Sequence, residues 1–251
     1  MNAFFMALSF LTVTPWISSL KGTERDMARS LYFYPLVGLL LGAVLAGVYL
    51  GGEFLRLGTA GSAAVVSVWL VLTGGLHADG LMDASDGFFS GKERESCLEI
   101  MRDSRVGAMG VLSLAIVLLL KVTFLEALPS ESAAAVLVLV PATARLAMVW
   151  AIVRYPYARE TPGLGNCFGK KRSFFPFYFG LVFCLAVSYC LAGAAVSLLL
   201  VLSLVLAGIV SALTSHHLRG HTGDTYGFLC EFTEMAALII IASGWGVIRV
   251  L

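Results

Sequence analysis

From Ser173 to Ser215 no residue of this chain carries a charge. An α-helix rises about 1.5 Å per residue and needs about 20 apolar residues to cross the hydrocarbon of a bilayer. The run is too long for one crossing and suits two, with the small residues Ala192-Gly193-Ala194-Ala195 as the turn. Lipid is the natural solvent for such a segment. The whole chain agrees: 59% of its 251 residues are apolar and 13% charged, against about 25% charged in soluble domains.

Further apolar runs cover Leu31–Gly52, Leu57–Leu76, Val106–Leu128, Ser132–Val153 and, more weakly, Phe232–Val250. The sequence thus predicts an all-α fold, a polytopic membrane helical bundle of about seven transmembrane helices, organised as a single membrane-embedded domain over residues 1–251. Met1 to Leu20 is uncharged but has no basic flank and contains Asn2, Thr12, Thr14 and Pro15, so it reads as an interfacial or re-entrant segment ending near Pro15-Trp16 rather than a cleaved signal. Net charge is +1, with no basic stripe interleaved with aromatics, so no nucleic acid partner is expected. The five cysteines are scattered without CxxC spacing and read as buried thiols.

Seven spans fix which loops share a side. If Lys21 to Ser30 faces the cytoplasm, so do segments 77–106, 154–172 and 216–231. That side holds Lys21, Arg25, Arg29, Lys92, Arg94, Arg102, Arg105, Arg154, Arg159, Lys170, Lys171, Arg172 and Arg219, whereas the other side holds only Arg56 and Arg249. The bias is the positive-inside pattern, and it gathers three polar segments at one membrane face.

The first of these contains His77-Ala78-Asp79-Gly80-Leu81-Met82-Asp83-Ala84-Ser85-Asp86-Gly87. Asp79, Asp83 and Asp86 fall at i, i+4, i+7, within one arc of a helix. Their mutual repulsion calls for cations, and magnesium or manganese suits hard oxygen ligands and can bridge a diphosphate. The bracketing glycines, including Gly80 and Gly87, are expected to let backbone approach a ligand. Beyond them Arg94, Arg102 and Arg105 are candidates for phosphate oxygens, and Asp103 for a ligand or base. His77, two residues from Asp79, points away from the aspartates on a continuous helix. Lys121 and Arg145 lie inside apolar spans. Arg145 is expected to face the bundle interior and pair with an acidic-run carboxylate or a phosphate; Lys121, followed by Glu126, reads as the outer boundary of its helix. His216, His217 and His221 offer one i,i+4 pair and no thiolate, which favours polar contact with a substrate over structural zinc.

With these residues in view, the chain resembles the cobalamin synthase family along nearly its whole length. The resemblance is carried by Phe10-Leu11-Thr12 with Pro15, Phe33-Tyr34-Pro35-Leu36-Val37-Gly38, Thr73-Gly74-Gly75-Leu76-His77 through Asp86-Gly87, and Glu99-Ile100-Met101-Arg102-Asp103-Ser104-Arg105-Val106-Gly107. Tyr155-Pro156-Tyr157-Ala158-Arg159, Gly163-Leu164-Gly165 and Thr222-Gly223-Asp224-Thr225 with Glu231-Phe232-Thr233-Glu234 continue it. Ala78 departs from the pattern.

The resemblance implies a transferase of the last steps of cobalamin biosynthesis. It joins adenosylcobinamide-GDP to α-ribazole or its phosphate and releases GMP, in the cell inner membrane, with its active-site loops toward the cytoplasm. It also implies magnesium, held by Asp79, Asp83 and Asp86. Asp83, Asp103, Asp224 and His77 become the catalytic candidates, and Arg94, Arg102, Arg105, Arg145, Arg159, His217 and Thr222 the substrate or phosphate contacts. Lipid surrounds the protein, and a homo-oligomer or association with other enzymes of the pathway is an open expectation. A CDP-alcohol phosphatidyltransferase would need Asp-x-x-Asp-Gly-x-x-Ala-Arg, where Phe88-Phe89-Ser90-Gly91 stands here. A transporter would place its carboxylates near the bilayer midplane rather than at span ends.

Overall fold

The computed structural model describes residues 2–13, 23–159 and 173–248. They form helices, and the one β-type contact among them is an isolated parallel bridge between Tyr157 and His221. The expected all-α bundle is the observed architecture. The expectations for Pro15-Trp16, for Gly163-Leu164-Gly165 and for Lys170 to Arg172 lie outside the described residues.

α1 (Asn2–Leu11) is too short to cross a bilayer. Its continuation joins the bundle, for the Val13 N–H donates to the Leu72 carbonyl at 2.8 Å. α2 (Glu24–Ser30) starts on a capping box in which Thr23 and Asp26 satisfy each other's backbone N–H groups. A single 3-10 turn, Leu31–Phe33, then leads into α3 (Tyr34–Phe54), which has Pro35 in its first turn, where a missing N–H costs nothing.

α4 (Thr59–Leu72) and α5 (Leu76–Phe89) meet at an angle of 88°. Gly74 and Gly75 make the corner, at φ values of 62° and 69° where a side chain would be strained. The apolar run ending at Leu76 is therefore a short helix followed by a sharp turn, and the acidic segment leaves it nearly at right angles. The short α6 (Arg94–Ile100) follows, then α7 (Ala108–Glu126) and α8 (Ser130–Arg154).

α8 is the central helix, buried along most of its length against α3, α9 and α10. It tolerates Pro141 in its interior. There α3 comes within backbone distance: a Cβ on Gly42 would lie 2.4 Å from the Leu137 carbonyl oxygen, and one on Gly38 2.5 Å from Ala142 Cα.

α9 (Phe175–Leu218) is nominally one helix of 44 residues, about 66 Å if straight. It is a hairpin. Gly193 breaks it at φ 78°, ψ −178°, and the Ser188 and Ser197 hydroxyls on either side lie 2.8 Å apart, where a straight helix would hold them about 13 Å apart. The turn predicted at Ala192–Ala195 is thus observed. Among the described residues α3, α7, α8, α9 and α10 (Gly223–Ile248) are long and apolar enough to cross a bilayer, and the bent α4–α5 pair brings the number to at most six; the expected count of about seven is reached only when the two arms of the α9 hairpin are taken as separate passes. α10 begins earlier than its predicted span, so Glu231 and Glu234 lie within the helix rather than before or at its mouth.

Candidate active site

The three polar segments do share one end of the bundle, and the contacts that gather them are mostly to backbone. Arg94 donates from Nε to the Leu218 carbonyl and from Nη2 to the Ala158 carbonyl, both at 2.8 Å. Ala158 and His221 are joined by an N–H···O bond of 2.8 Å, and His221 returns one to Pro156 at 2.9 Å. Arg94, expected to hold phosphate, instead ties the residues beyond α8 to the connection between α9 and α10, because a planar guanidinium satisfies two carbonyls at once.

α5 and α10 cross beneath this clasp. A Cβ on Gly80 would stand 2.7 Å from the Asp224 carbonyl oxygen, and one on Gly227 3.0 Å from the His77 carbonyl oxygen. Gly80, expected to admit a ligand, admits the backbone of α10. The crossing sets Asp224 beside the acidic face of α5: the Asp83 carboxylate feels the charges of Asp79, Asp224 and Asp86, with Arg159 as the opposing cation. Asp224 accepts from Arg159 Nη2 at 2.7 Å and from the Thr222 hydroxyl at 3.2 Å. Thr222, buried, also accepts from the Thr225 N–H at 3.2 Å and so caps the first turn of α10. Among the described residues Arg159 Nε has no hydrogen-bond partner.

Asp86 does not join a carboxylate triad. Its two oxygens accept the N–H groups of Gly107 and Gly110 at 2.7 and 2.8 Å. It thereby caps α7 from a distance, at a terminus where Gly107 brings no side chain of its own. Among the described residues no three His, Cys, Asp or Glu side chains converge closely enough to hold an ion alone. Magnesium is ordinarily bound by one or two carboxylates completed by water and substrate phosphates. Asp79 and Asp83, one turn apart with Asp224 facing them, fit that donor set, whereas each Asp86 oxygen already accepts an N–H group of α7.

Asp103 and Arg105 pair with each other in the turn after α6, Arg105 Nη2 lying 2.6 Å from the carboxylate. The Arg105 hydrogen bonds hold Asp103 down to a pKa of about 2. Arg102 is exposed in the same turn. His217 is exposed and meets the edge of Phe88. His221 is buried, its ring nitrogens taken up by Ser211 and Thr225.

His77 and Arg145 belong to a different layer. α5 is continuous, so His77 turns from the aspartates into the bundle, its Nδ1 3.4 Å from Arg145 Nη2. Arg145 faces the interior as expected, but its carboxylate partner is Glu234, and it is fully buried, out of reach of a phosphate. Lys121 is no boundary residue: it bridges Glu231 and Glu234 at 2.6 and 2.5 Å and lies over the Trp69 ring at 4.5 Å. Glu126 accepts from Ser62 instead. Two cations and two anions thus cancel inside the bundle, linking α4, α5, α7, α8 and α10.

Two hollows flank these layers. The larger, about 590 Å³, is lined by Tyr32, Phe33, Phe179 and Phe183 with Arg29 and shares no residue with the carboxylates. The smaller, about 140 Å³, includes Asp79 and Asp224 in its wall.

Comparison with known proteins adds the lineage. The family profile described as cobalamin-5-phosphate synthase matches residues 3–242. The chain belongs to the cobalamin-5-phosphate synthase family. An adenosylcobinamide-GDP ribazoletransferase of Desulforamulus reducens is 42% identical over 95% of both chains. One of Roseiflexus sp. is 40% identical over 92% of this chain and 86% of its own, and one of Brevibacillus brevis 34% identical over 98% and 99%. No solved structure matches this member of the cobalamin-5-phosphate synthase family.

Proposed function

We propose that this chain is an adenosylcobinamide-GDP ribazoletransferase, joining adenosylcobinamide-GDP to α-ribazole or its phosphate and releasing GMP. The observation that carries the chemistry is the meeting of Asp79, Asp83 and Asp224 with Arg159 at the α5–α10 crossing, in a chain of this family. A ribose hydroxyl of the ribazole attacks the phosphorus that bears the cobinamide arm. A new P–O bond forms, the bond to the bridging oxygen breaks, and GMP leaves with the electron pair.

Asp224 is suited to receive the hydroxyl proton. Its Oδ2 is held by Arg159 and Thr222, which leaves Oδ1 with a fixed direction. Arg159 keeps donors for a phosphate oxygen, and Asp79 and Asp83 are the residues that would hold magnesium, or manganese in its place. When bound, the ion offsets the charge of the diphosphate and of the departing GMP. The excess of Arg and Lys at this end of the bundle supports its placement on the cytoplasmic side of the cell membrane.

The test is protein purified into liposomes and given adenosylcobinamide-GDP, α-ribazole and magnesium, with GMP followed. GMP release that needs both substrates is the expected result. No GMP, together with CMP release from a CDP-alcohol, overturns the reading.

A further inference from the structure

The 140 Å³ cavity runs from an apolar floor to an acidic mouth. Met148 and Ile152 of α8 and Tyr226 of α10 are buried at its base, Phe10 of α1 closes one side, and Asp79 is exposed at the opening beside Asp224. His77, also in the wall, turns Nδ1 to Arg145, and its buried Nε2 has no hydrogen-bond partner among the described residues. We propose that this cavity receives the bicyclic aromatic base of the ribazole substrate, an assignment that rests on the transferase reading above.

Size makes the first cut. Pockets for drug-sized ligands measure roughly 300–1,000 Å³, so this cavity takes a single ring system and neither a corrin macrocycle nor a whole nucleotide. Polarity makes the second. Guanine carries hydrogen-bonding groups around most of its rim, and each one buried without a partner is costly. Besides the Tyr226 phenol and the His77 Nε2, which has no hydrogen-bond partner among the described residues, the floor here is thioether and branched aliphatic, too few polar groups to serve guanine's rim. A dialkylated benzimidazole presents an edge that needs no partner and gains from that burial.

Geometry adds a consequence. With the base on Met148 and Ile152, its ribose emerges at the mouth, beside the carboxylate proposed to take the proton. The corrinoid and guanosine moieties then approach from the open side.

The assignment is tested without a variant by equilibrium binding of α-ribazole to the purified protein, read from the base's own fluorescence. Free dimethylbenzimidazole is expected to displace it, and GMP at the same concentration is not. Displacement by GMP alone, or by neither compound, overturns the assignment. A second measurement uses Ile152→Phe, which narrows the floor. KM for α-ribazole is expected to rise at least tenfold, with KM for adenosylcobinamide-GDP within twofold of the parent. An equal rise in both, no rise in either, or a rise in the second alone overturns it. Absence of GMP release by the unaltered protein would instead bring down the transferase reading.

Discussion

Gly80 and Gly227 pack against each other where α5 crosses α10, so closely that a Cβ on either would lie 3.2 Å from the Cα of the other. That contact brings the acidic face of α5 to Asp224. Gly80→Ala would drive a methyl group to 2.7 Å from the Asp224 carbonyl oxygen, and a shift of about 1 Å at a reacting centre costs roughly 100-fold. We expect GMP release to fall by about that factor while the protein remains in the membrane. Activity within threefold of the parent would show that the crossing does not set the site.

The aspartates of α5 separate into two roles. Asp79→Asn and Asp83→Asn are expected to abolish turnover or to shift its magnesium dependence at least tenfold. Asp86→Ala removes two bonds to the amino end of α7, a loss of about 0.5–2 kcal/mol by analogy with helix caps. Its residual activity should titrate with magnesium as the parent does. An Asp86→Ala protein of parental stability but altered magnesium dependence would reverse the assignment.

Lys121→Met leaves Glu231 and Glu234 buried with one cation between them. Breaking a buried ion pair costs about 3–5 kcal/mol, and removing the partner as well returns much of it. Thermal inactivation in detergent should therefore be much faster for Lys121→Met than for Lys121→Met combined with Glu231→Gln. Equal rates in the two proteins would argue against a charge-balanced layer.

Asp103 is depressed from 3.8 to about 2 by its bonds from Arg105. A group lowered in this way adds stability above its unfolded value and loses it as the pH falls through about 2, so across the neutral range it stays ionised. An acid limb of kcat/KM between about pH 5 and 7 belongs to another group. Asp103→Asn should leave that limb in place; its disappearance would make Asp103 the titrating base.

The features legible in the sequence are those that depend on neighbours along the chain. Uncharged length marked the spans, Gly193 the hairpin turn, and charge asymmetry the shared end of the bundle. The i, i+4 spacing put Asp79 and Asp83 on one face. Asp86 shares that periodicity, but its partners are N–H groups more than twenty residues away that no spacing announces. The contacts of Arg94 were hidden for the same reason: its partners are backbone carbonyls of Ala158 and Leu218, which have no residue signature. The Lys121 and Arg145 pairing did leave a signal. Two cations inside apolar spans require two anions at a similar depth, and Glu231 and Glu234 were the candidates once their segment was taken as helix.

The balanced layer also orders the making of the protein. α4, α5, α7 and α8 precede α10 in the chain, so the ribosome delivers Lys121 and Arg145 to the bilayer before the two glutamates that neutralise them. Until α10 arrives those cations stand among lipid and helices without their counter-ions, a state that a membrane holds only at a cost. The last helix is thus the keystone of assembly. A chain stopped before Glu231 would be left with two cations unmatched inside its bundle.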